Sequence, residues 1–95
     1  MKITTDTGFT CEIDERVFDD FRTLSAMGEM FDAEAEPTQR MGAASRIISM
    51  VLGGEKKRLY KHLEKDGFVS AEDVYAELNS IMEKVTEAKA EVKKG

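Results

Sequence analysis

The segment 52–81 constrains the fold more than any other part of the chain. It holds a helix end at a pair of glycines, a short basic stretch, and then a start signal for another helix. Ser70 is placed to cap that helix, with Asp73 three residues later where a glutamate or glutamine is usual. Val69 and Val74 have the spacing of a hydrophobic staple around the cap. The pattern predicts a small helical domain and points to no chemistry.

Length and composition bound the class of protein. The chain has 95 residues, of which 41% are hydrophobic and 35% charged, and this indicates one soluble globular domain. No apolar run approaches the ~18–20 residues of a membrane span, and the N-terminus lacks the apolar block of a signal peptide. A single cysteine, Cys11, leaves no internal disulfide framework. We therefore expect a cytoplasmic protein without membrane contact.

The net charge of −5 is unevenly distributed along the chain. Residues 1–36 carry ten acidic and three basic side chains, whereas residues 37–65 carry seven basic and two acidic ones. The basic middle can pack against the acidic start or face an acidic partner. The overall acidity argues against nonspecific binding of nucleic acid.

The first thirteen residues predict a β-hairpin. Residues 2–5 and 9–13 flank a turn at Asp6-Thr7-Gly8, whose glycine can adopt a positive φ. Phe9, Cys11 and Ile13 alternate with polar residues, so that one face is apolar. A lone hairpin is marginally stable in water, and we expect this face to dock on the helices.

Two helices are predicted between the hairpin and the glycine pair. Asp14 is a suitable N-cap for the first helix, and Pro37 suits the first turn of the second. The predicted buried face of the first helix is Val17, Phe18, Phe21, Leu24, Met27 and Phe31. That of the second is Met41, Ala44, Ile48, Val51 and Leu52.

Two more helices are predicted after the glycines. The third, over 55–65, is short and basic with Leu59, Tyr60 and Leu63 facing inward, and the fourth begins at Ala71 and continues towards Lys93. The fourth helix carries a heptad seam: Val74, Leu78, Ile81, Val85, Ala88 and Val92. A monomer of this size can cover the first half of such a seam more easily than the second. We therefore predict that the seam forms a homo-oligomer.

These elements define a mostly α-helical single domain of about four helices with a short N-terminal β-hairpin. The hairpin occupies residues 1–13, the helical core 14–82 and a charged helical tail 83–95.

The chain shows no constellation typical of an enzyme or a metal site. The single histidine, His62, and Cys11 have no second histidine or cysteine cluster near them, and metal sites usually need three or four ligands. Asp19 and Asp20 point about 100° apart on a helix and suit its dipole better than a shared acid–base site. We predict no catalytic residue, no metal and no cofactor.

A DNA-binding regulator is the alternative function. The basic helix 55–65 carries Lys56, Lys57, Arg58 and Lys61, which suit contacts with phosphates. The same helix has no asparagine or glutamine to read base edges, and the rest of the chain is acidic.

An ordered series of short motifs covers most of residues 1–82. It comprises the hairpin segment 7–13, Phe18-Asp19-Asp20-Phe21, Met50-Val51-Leu52-Gly53, the segment 59–63 and the segment 66–78. In this order the motifs resemble the small tail assembly chaperones of long-tailed bacteriophages and Gram-positive prophages.

The resemblance implies a non-enzymatic chaperone that acts in the cytoplasm of a bacterial host cell. Such a protein binds the long helical tape measure protein, keeps it soluble and helps to recruit tail tube subunits. Oligomers are common in the family, and it has no assigned catalytic residues. Methionine-containing helix faces tolerate varied partner side chains. We expect the partner-binding groove near Phe21, Leu24, Met27, Ile48, Tyr60 and Leu63.

Overall fold

A computed structural model describes residues 1–94 of the chain, with the side chains of residues 1–90. The protein is mostly helical, with a two-stranded antiparallel sheet at its N-terminus, which confirms the predicted fold class. Its strands are β1 (Lys2–Thr4) and β2 (Thr10–Glu12), and its α-helices are α1 (Phe21–Met30), α2 (Pro37–Leu52), α3 (Lys56–Leu63) and α4 (Ala71–Lys94). Short 3-10 helices occupy Glu15–Asp19 and Gly53–Glu55.

The hairpin docks on the helices as predicted. Ile3 lies opposite Cys11 in the antiparallel register, and Gly8 adopts a φ of +90° in the connecting turn. The inward-facing side chains of the hairpin are all buried: Ile3, Phe9, Cys11 and Ile13. Burial of this face supplies the stability that an isolated hairpin lacks.

The predicted count of four separate helices is wrong. Gly53, with a φ of +54°, ends α2 as expected. However, Gly53–Glu55 continues directly as a 3-10 helix, and α3 begins at Lys56 without an intervening loop. Residues 37–63 therefore form one bent helical segment. Counted in this way, residues 1–94 contain three helical segments, in the ranges 15–30, 37–63 and 71–94.

The predicted start of the first helix is also wrong. The Asp14 carboxylate accepts a hydrogen bond from the backbone N–H of Arg16 (3.0 Å), but it caps only the short 3-10 helix. Asp20 has an extended backbone, and its carboxylate accepts from the N–H of Arg22 (2.8 Å) to begin α1. The interruption at Asp20 breaks the helical phase between residues 17 and 31.

This break overturns half of the predicted buried face of the first helix, since Val17, Phe18 and Met27 are half-buried against the core and the other three residues are not. The buried residues of α1 are Thr23, Ala26 and Met30. Phe21, Leu24 and Phe31, which the spacing placed in the core, are 81%, 48% and 61% exposed. They lie on the side of α1 opposite its buried residues.

The last helix lies in the core of the molecule. Leu78, Ile81 and Val85 of the predicted seam are buried within the monomer, and Val74 and Ala88 are half-buried. Val92 lies outside the described side chains. Packing continues past residue 82, where the charged tail was expected to begin. A single chain therefore already covers the central residues of the seam. Self-association through the seam stays a prediction.

A tight turn sets the start of α4. Asp66 and Gly67 have positive φ values of 52° and 82°, the pattern of a type I′ turn. Lys65 and Phe68 exchange backbone hydrogen bonds of 2.8 and 2.9 Å across it. Helix α4 then begins at Ala71, directly after Ser70, as the capping pattern predicted.

Candidate interaction groove

An open apolar groove of about 330 Å³ runs between α2 and α4. Met41, Ala44 and Ile48 line its α2 side, and Val74 and Tyr75 line its α4 side. Ala44 and Ile48 are buried and form the floor, whereas Met41 is half exposed at the rim. The surface available to a ligand is thus almost entirely hydrocarbon and aromatic.

A second depression adjoins the groove. Tyr60 of α3 and Val69 lie at one end of the groove. At the other end Met41 and Tyr75 also line a neighbouring cavity of about 450 Å³, which reaches Phe31 and Arg40. The two depressions share Met41 and Tyr75 in their walls, and we refer to them together as the channel.

The helical spacing of α2 builds one wall of this channel. Met41, Ala44 and Ile48 recur at three- and four-residue steps and so lie on one face. From Pro37 to Ile48 the wall extends about 16 Å at 1.5 Å per residue. Its length matches about three turns of a docked helix.

The structure places two of the predicted partner-binding residues in the groove. Ile48 lies in its floor and Tyr60 at its end. Leu63, also predicted, is buried in the core and is inaccessible to a partner.

The other three predicted residues lie on α1, outside the groove. Phe21 and Leu24 are exposed on the outward face, whereas Met27 is half-buried against the core. The six residues therefore do not form one surface. The sequence interpretation merged a groove with a separate helix face.

Sequence reasoning missed the rim of the groove. Met41 was predicted to lie on the buried face of the second helix, which is wrong because it is half exposed, and Val69 was predicted to be part of a staple at the start of the last helix. The spacing of Met41 with Ala44 and Ile48 was a visible signal. However, their approach to Val69 and Tyr75 depends on how α2 and α4 cross.

A polar cluster at the tip of the hairpin was also missed. The hydroxyl of Thr7 donates a hydrogen bond to Oε1 of Glu77 (2.6 Å) and lies 3.0 Å from Nε2 of His62. Since the hydroxyl proton is used on Glu77, its oxygen accepts from an Nε2–H of His62. Glu77 is only 1% exposed, and its other oxygen, Oε2, has no hydrogen-bond partner.

This cluster fastens the hairpin to the helices and does not resemble a nucleophile–base pair with an orienting acid. In such a triad the acid contacts the imidazole, whereas here Glu77 contacts the hydroxyl of Thr7. Neighbouring contacts serve the same anchoring role. The N–H of Asp6 donates to Oγ of Ser80 (2.9 Å), and Lys84 pairs with the Asp6 carboxylate (3.3 Å).

The other described residues that could have had a chemical role also show no arrangement for one. Cys11 is buried, and burial raises the pKa of its thiol, so it stays neutral and packs as a small apolar group. No group of three histidine, cysteine or carboxylate side chains within the described part of the chain is arranged to hold a metal. Between residues 1 and 94, every helix is too short or too polar to cross a lipid bilayer.

The basic helix α3 uses part of its charge within the chain. The Arg58 guanidinium donates to the backbone oxygen of Thr10 (2.6 Å) and lies 4.3 Å from the centre of the Phe9 ring. Lys56 donates to Oγ of Ser49 (3.1 Å). Fewer cations are thus free for phosphate contacts than the sequence suggested.

Comparisons of the chain with protein-family models, with curated proteins and with solved structures found no match.

Proposed function

We propose that the protein is a non-enzymatic tail assembly chaperone whose groove binds an apolar helical segment of the phage tape measure protein. The apolar channel between α2 and α4 is the observation that carries this proposal. The ordered motifs of residues 1–82 supply the identity of the partner. By the same resemblance the complex helps to recruit tail tube subunits in the cytoplasm of the bacterial host.

The shape of the channel suits a docked helix. An amphipathic helix presents apolar side chains at three- and four-residue steps, and a groove of about three turns accepts two or three such anchors. Tyr60 and Tyr75 offer rigid aromatic walls. Met41 at the rim adapts to side chains of different shape, which suits a partner with many similar segments.

Charge at the two ends of the channel favours acidic flanks on the bound helix. Arg40 lines one end, and Lys57 lies one turn before Tyr60 at the other. Such cations orient a partner more than they add affinity.

The test is co-expression with the tape measure protein of the same phage. We expect the soluble fraction of that protein to rise and the two proteins to elute together on gel filtration. Met41→Glu places a charge at the groove rim and should abolish co-elution. Leu24→Glu is the matched control, because Leu24 is 48% exposed and Met41 49%, but Leu24 lies on α1.

Separate elution of the two wild-type proteins, with the tape measure protein precipitating as readily as when alone, would contradict the proposal. Co-elution that survives Met41→Glu but is lost in Leu24→Glu would move the binding site from the groove to the exposed face of α1.

A further inference from the structure

Arg40 differs from the other arginines of the chain, because no carboxylate among the described side chains pairs with it. Each of the other four arginines pairs with an acid of its own chain: Arg16 with Asp14, Arg22 with Asp20, Arg46 with Glu29 and Arg58 with Glu55. Those four arginines are exposed, whereas Arg40 is half-buried. The arginine with the least access to water is therefore the one that its own chain leaves without a counter-ion.

The acid with the best spacing for Arg40 is occupied by another task. Glu36 lies one turn earlier, a spacing that favours an ion pair along a helix. However, Glu36 is the N-cap of α2 and belongs to its capping box, in which the Glu36 N–H donates to Oε1 of Gln39 (3.0 Å). Within residues 1–90, helix α2 therefore does not neutralise Arg40.

The walls around Arg40 offer hydrogen-bond donors and no acidic group. Arg40 lines the second depression, of about 450 Å³, together with Asn79 and Tyr75. The Asn79 amide and the Tyr75 hydroxyl can both donate, and neither is engaged in a hydrogen bond within residues 1–90. The rest of the lining is apolar: Met30, Phe31, Pro37 and Met41. A carboxylate suits such a site, because its two oxygens match the donor fork of a guanidinium.

We propose that the second depression is a subsite for one carboxylate of the docked helix, an aspartate or glutamate side chain that pairs with Arg40. The inference rests on the proposed function, since it assigns the chemistry of a segment bound in the same channel. Met41 and Tyr75 line both depressions, so a helix seated in the groove brings a neighbouring turn close to Arg40.

The subsite sets the direction and register of the docked helix. Ile48, in the floor of the groove, follows Arg40 by eight residues, about 12 Å along α2 at 1.5 Å per residue. The acid of the partner therefore lies about two turns from the apolar side chain that meets Ile48.

Reversed docking is disfavoured by the difference between the two ends of the channel. It would cover Arg40 without an anion, and a cation that loses water without gaining a partner is costly. Lys57, near the other end, is exposed and keeps its water in either direction.

Calorimetric titration with the tape measure segment that co-elutes with the wild type tests the inference. Arg40→Gln should weaken binding about tenfold or more, because the carboxylate of the partner then stays unpaired in the depression. Arg40→Lys keeps the charge but not the fork, and it should recover only part of the affinity. Arg46→Gln is the matched control and should bind as the wild type does, since Arg46 also lies on α2 but pairs with Glu29 and lines a different depression.

Urea unfolding of the free variants separates binding from folding. Arg40→Gln should unfold at the same urea concentration as the wild type, because Arg40 has no acidic partner among the described side chains. A lower midpoint in this variant would show that Arg40 is neutralised within its own chain, and it would overturn the inference.

Charge exchange identifies the acid of the partner. Arg40→Glu should lose binding, and lysine in place of one particular acidic residue of the segment should restore it. If Arg40→Gln binds as tightly as the wild type, or if no position restores Arg40→Glu, the inference is wrong and the proposed function stands. A segment that fails to bind the wild type would instead overturn the proposed function itself.

Discussion

The apolar residues of helices α1 and α4 recur at similar spacing, but those of α4 are buried and those on the outer face of α1 are exposed. The stripe of α4 lies in the core, with Leu78, Ile81 and Val85 buried. The stripe of α1 faces solvent, and the buried side of that helix is formed by Thr23, Ala26 and Met30. Helical periodicity shows that a face is apolar; it does not show what covers the face.

The difference follows from how each helix is held. Helix α4 is fastened to the hairpin through buried Glu77 and through Ser80, which orient its apolar side inward. Asp20 is the N-cap of helix α1, and this start sets which residues face α2. A shift of a few residues in a helix start therefore decides whether Phe21 is core or surface.

The largest contrast should appear on truncation of the two stripes. Ile81→Ala should lower the free energy of unfolding by about 2–5 kcal/mol, because it leaves a cavity in the core. Leu24→Ala should change it by less than about 0.5 kcal/mol in dilute solution. Urea unfolding followed by circular dichroism measures both. Equal losses in the two variants would contradict the assignment of core and surface.

The next largest effect concerns the polar anchor of α4. Thr7→Val removes the donor to the buried Glu77 carboxylate and should cost about 1–3 kcal/mol. The control is Thr4→Val, since Thr4 makes an exposed hydroxyl contact with Thr10 on the same hairpin (3.1 Å) and should matter little. If the two variants lose the same stability, the anchor has no special role.

Substitution at Gly28, on the exposed side of α1, should raise the stability of the protein, whereas the substitutions above lower it or leave it unchanged. Gly28→Ala is expected to stabilise the monomer by about 0.5–1 kcal/mol, because alanine favours the helix and the site has room for a Cβ. Gly53→Ala is the opposing control, since the φ of +54° there strains any residue with a side chain. Thermal unfolding of dilute protein compares them, and a destabilised Gly28→Ala would show that the fold itself needs a glycine at this position.

The smallest expected effect is the pH dependence of the stability of α1 at its N-terminus. Hydrogen bonds from Arg22 lower the pKa of Asp20 from 3.8 to about 2. A depressed folded-state pKa means that the carboxylate contributes stability above pH 4 and loses it as the pH falls towards 2. Amide exchange in α1 should accelerate over this interval, and Asp20→Asn, which keeps a capping oxygen, should remove that part of the pH dependence. Unchanged pH dependence in this variant would assign the effect to other carboxylates.

Local signals predicted much of the fold. The turn at Gly8, the end of α2 at Gly53 and the start of α4 after Ser70 each depend on a few neighbouring residues, and the structure has all three. The start of α1 was missed because Asp14 and Asp20 are both suitable caps. Choosing between them depends on packing against α2, which no local pattern records.

The candidate site was less predictable than the fold. Ile48 and Tyr60 were identified, but their neighbours Val69 and Tyr75 come from a segment that only the crossing of α2 and α4 brings near. The contact between Thr7 and Glu77 joins residues 70 positions apart. Each of these residues looked ordinary in its own segment.

The sequence by itself determined the helical class, the docked hairpin and the glycine and capping boundaries, because turn geometry and helix capping act over a few residues. Only the tertiary structure decided which apolar faces are covered. That choice depends on the summed burial of several segments, and burial is a property of distant contacts. The same chain therefore hides the regular seam of α4 and leaves the stripe of α1 and the groove beside α2 open to other molecules.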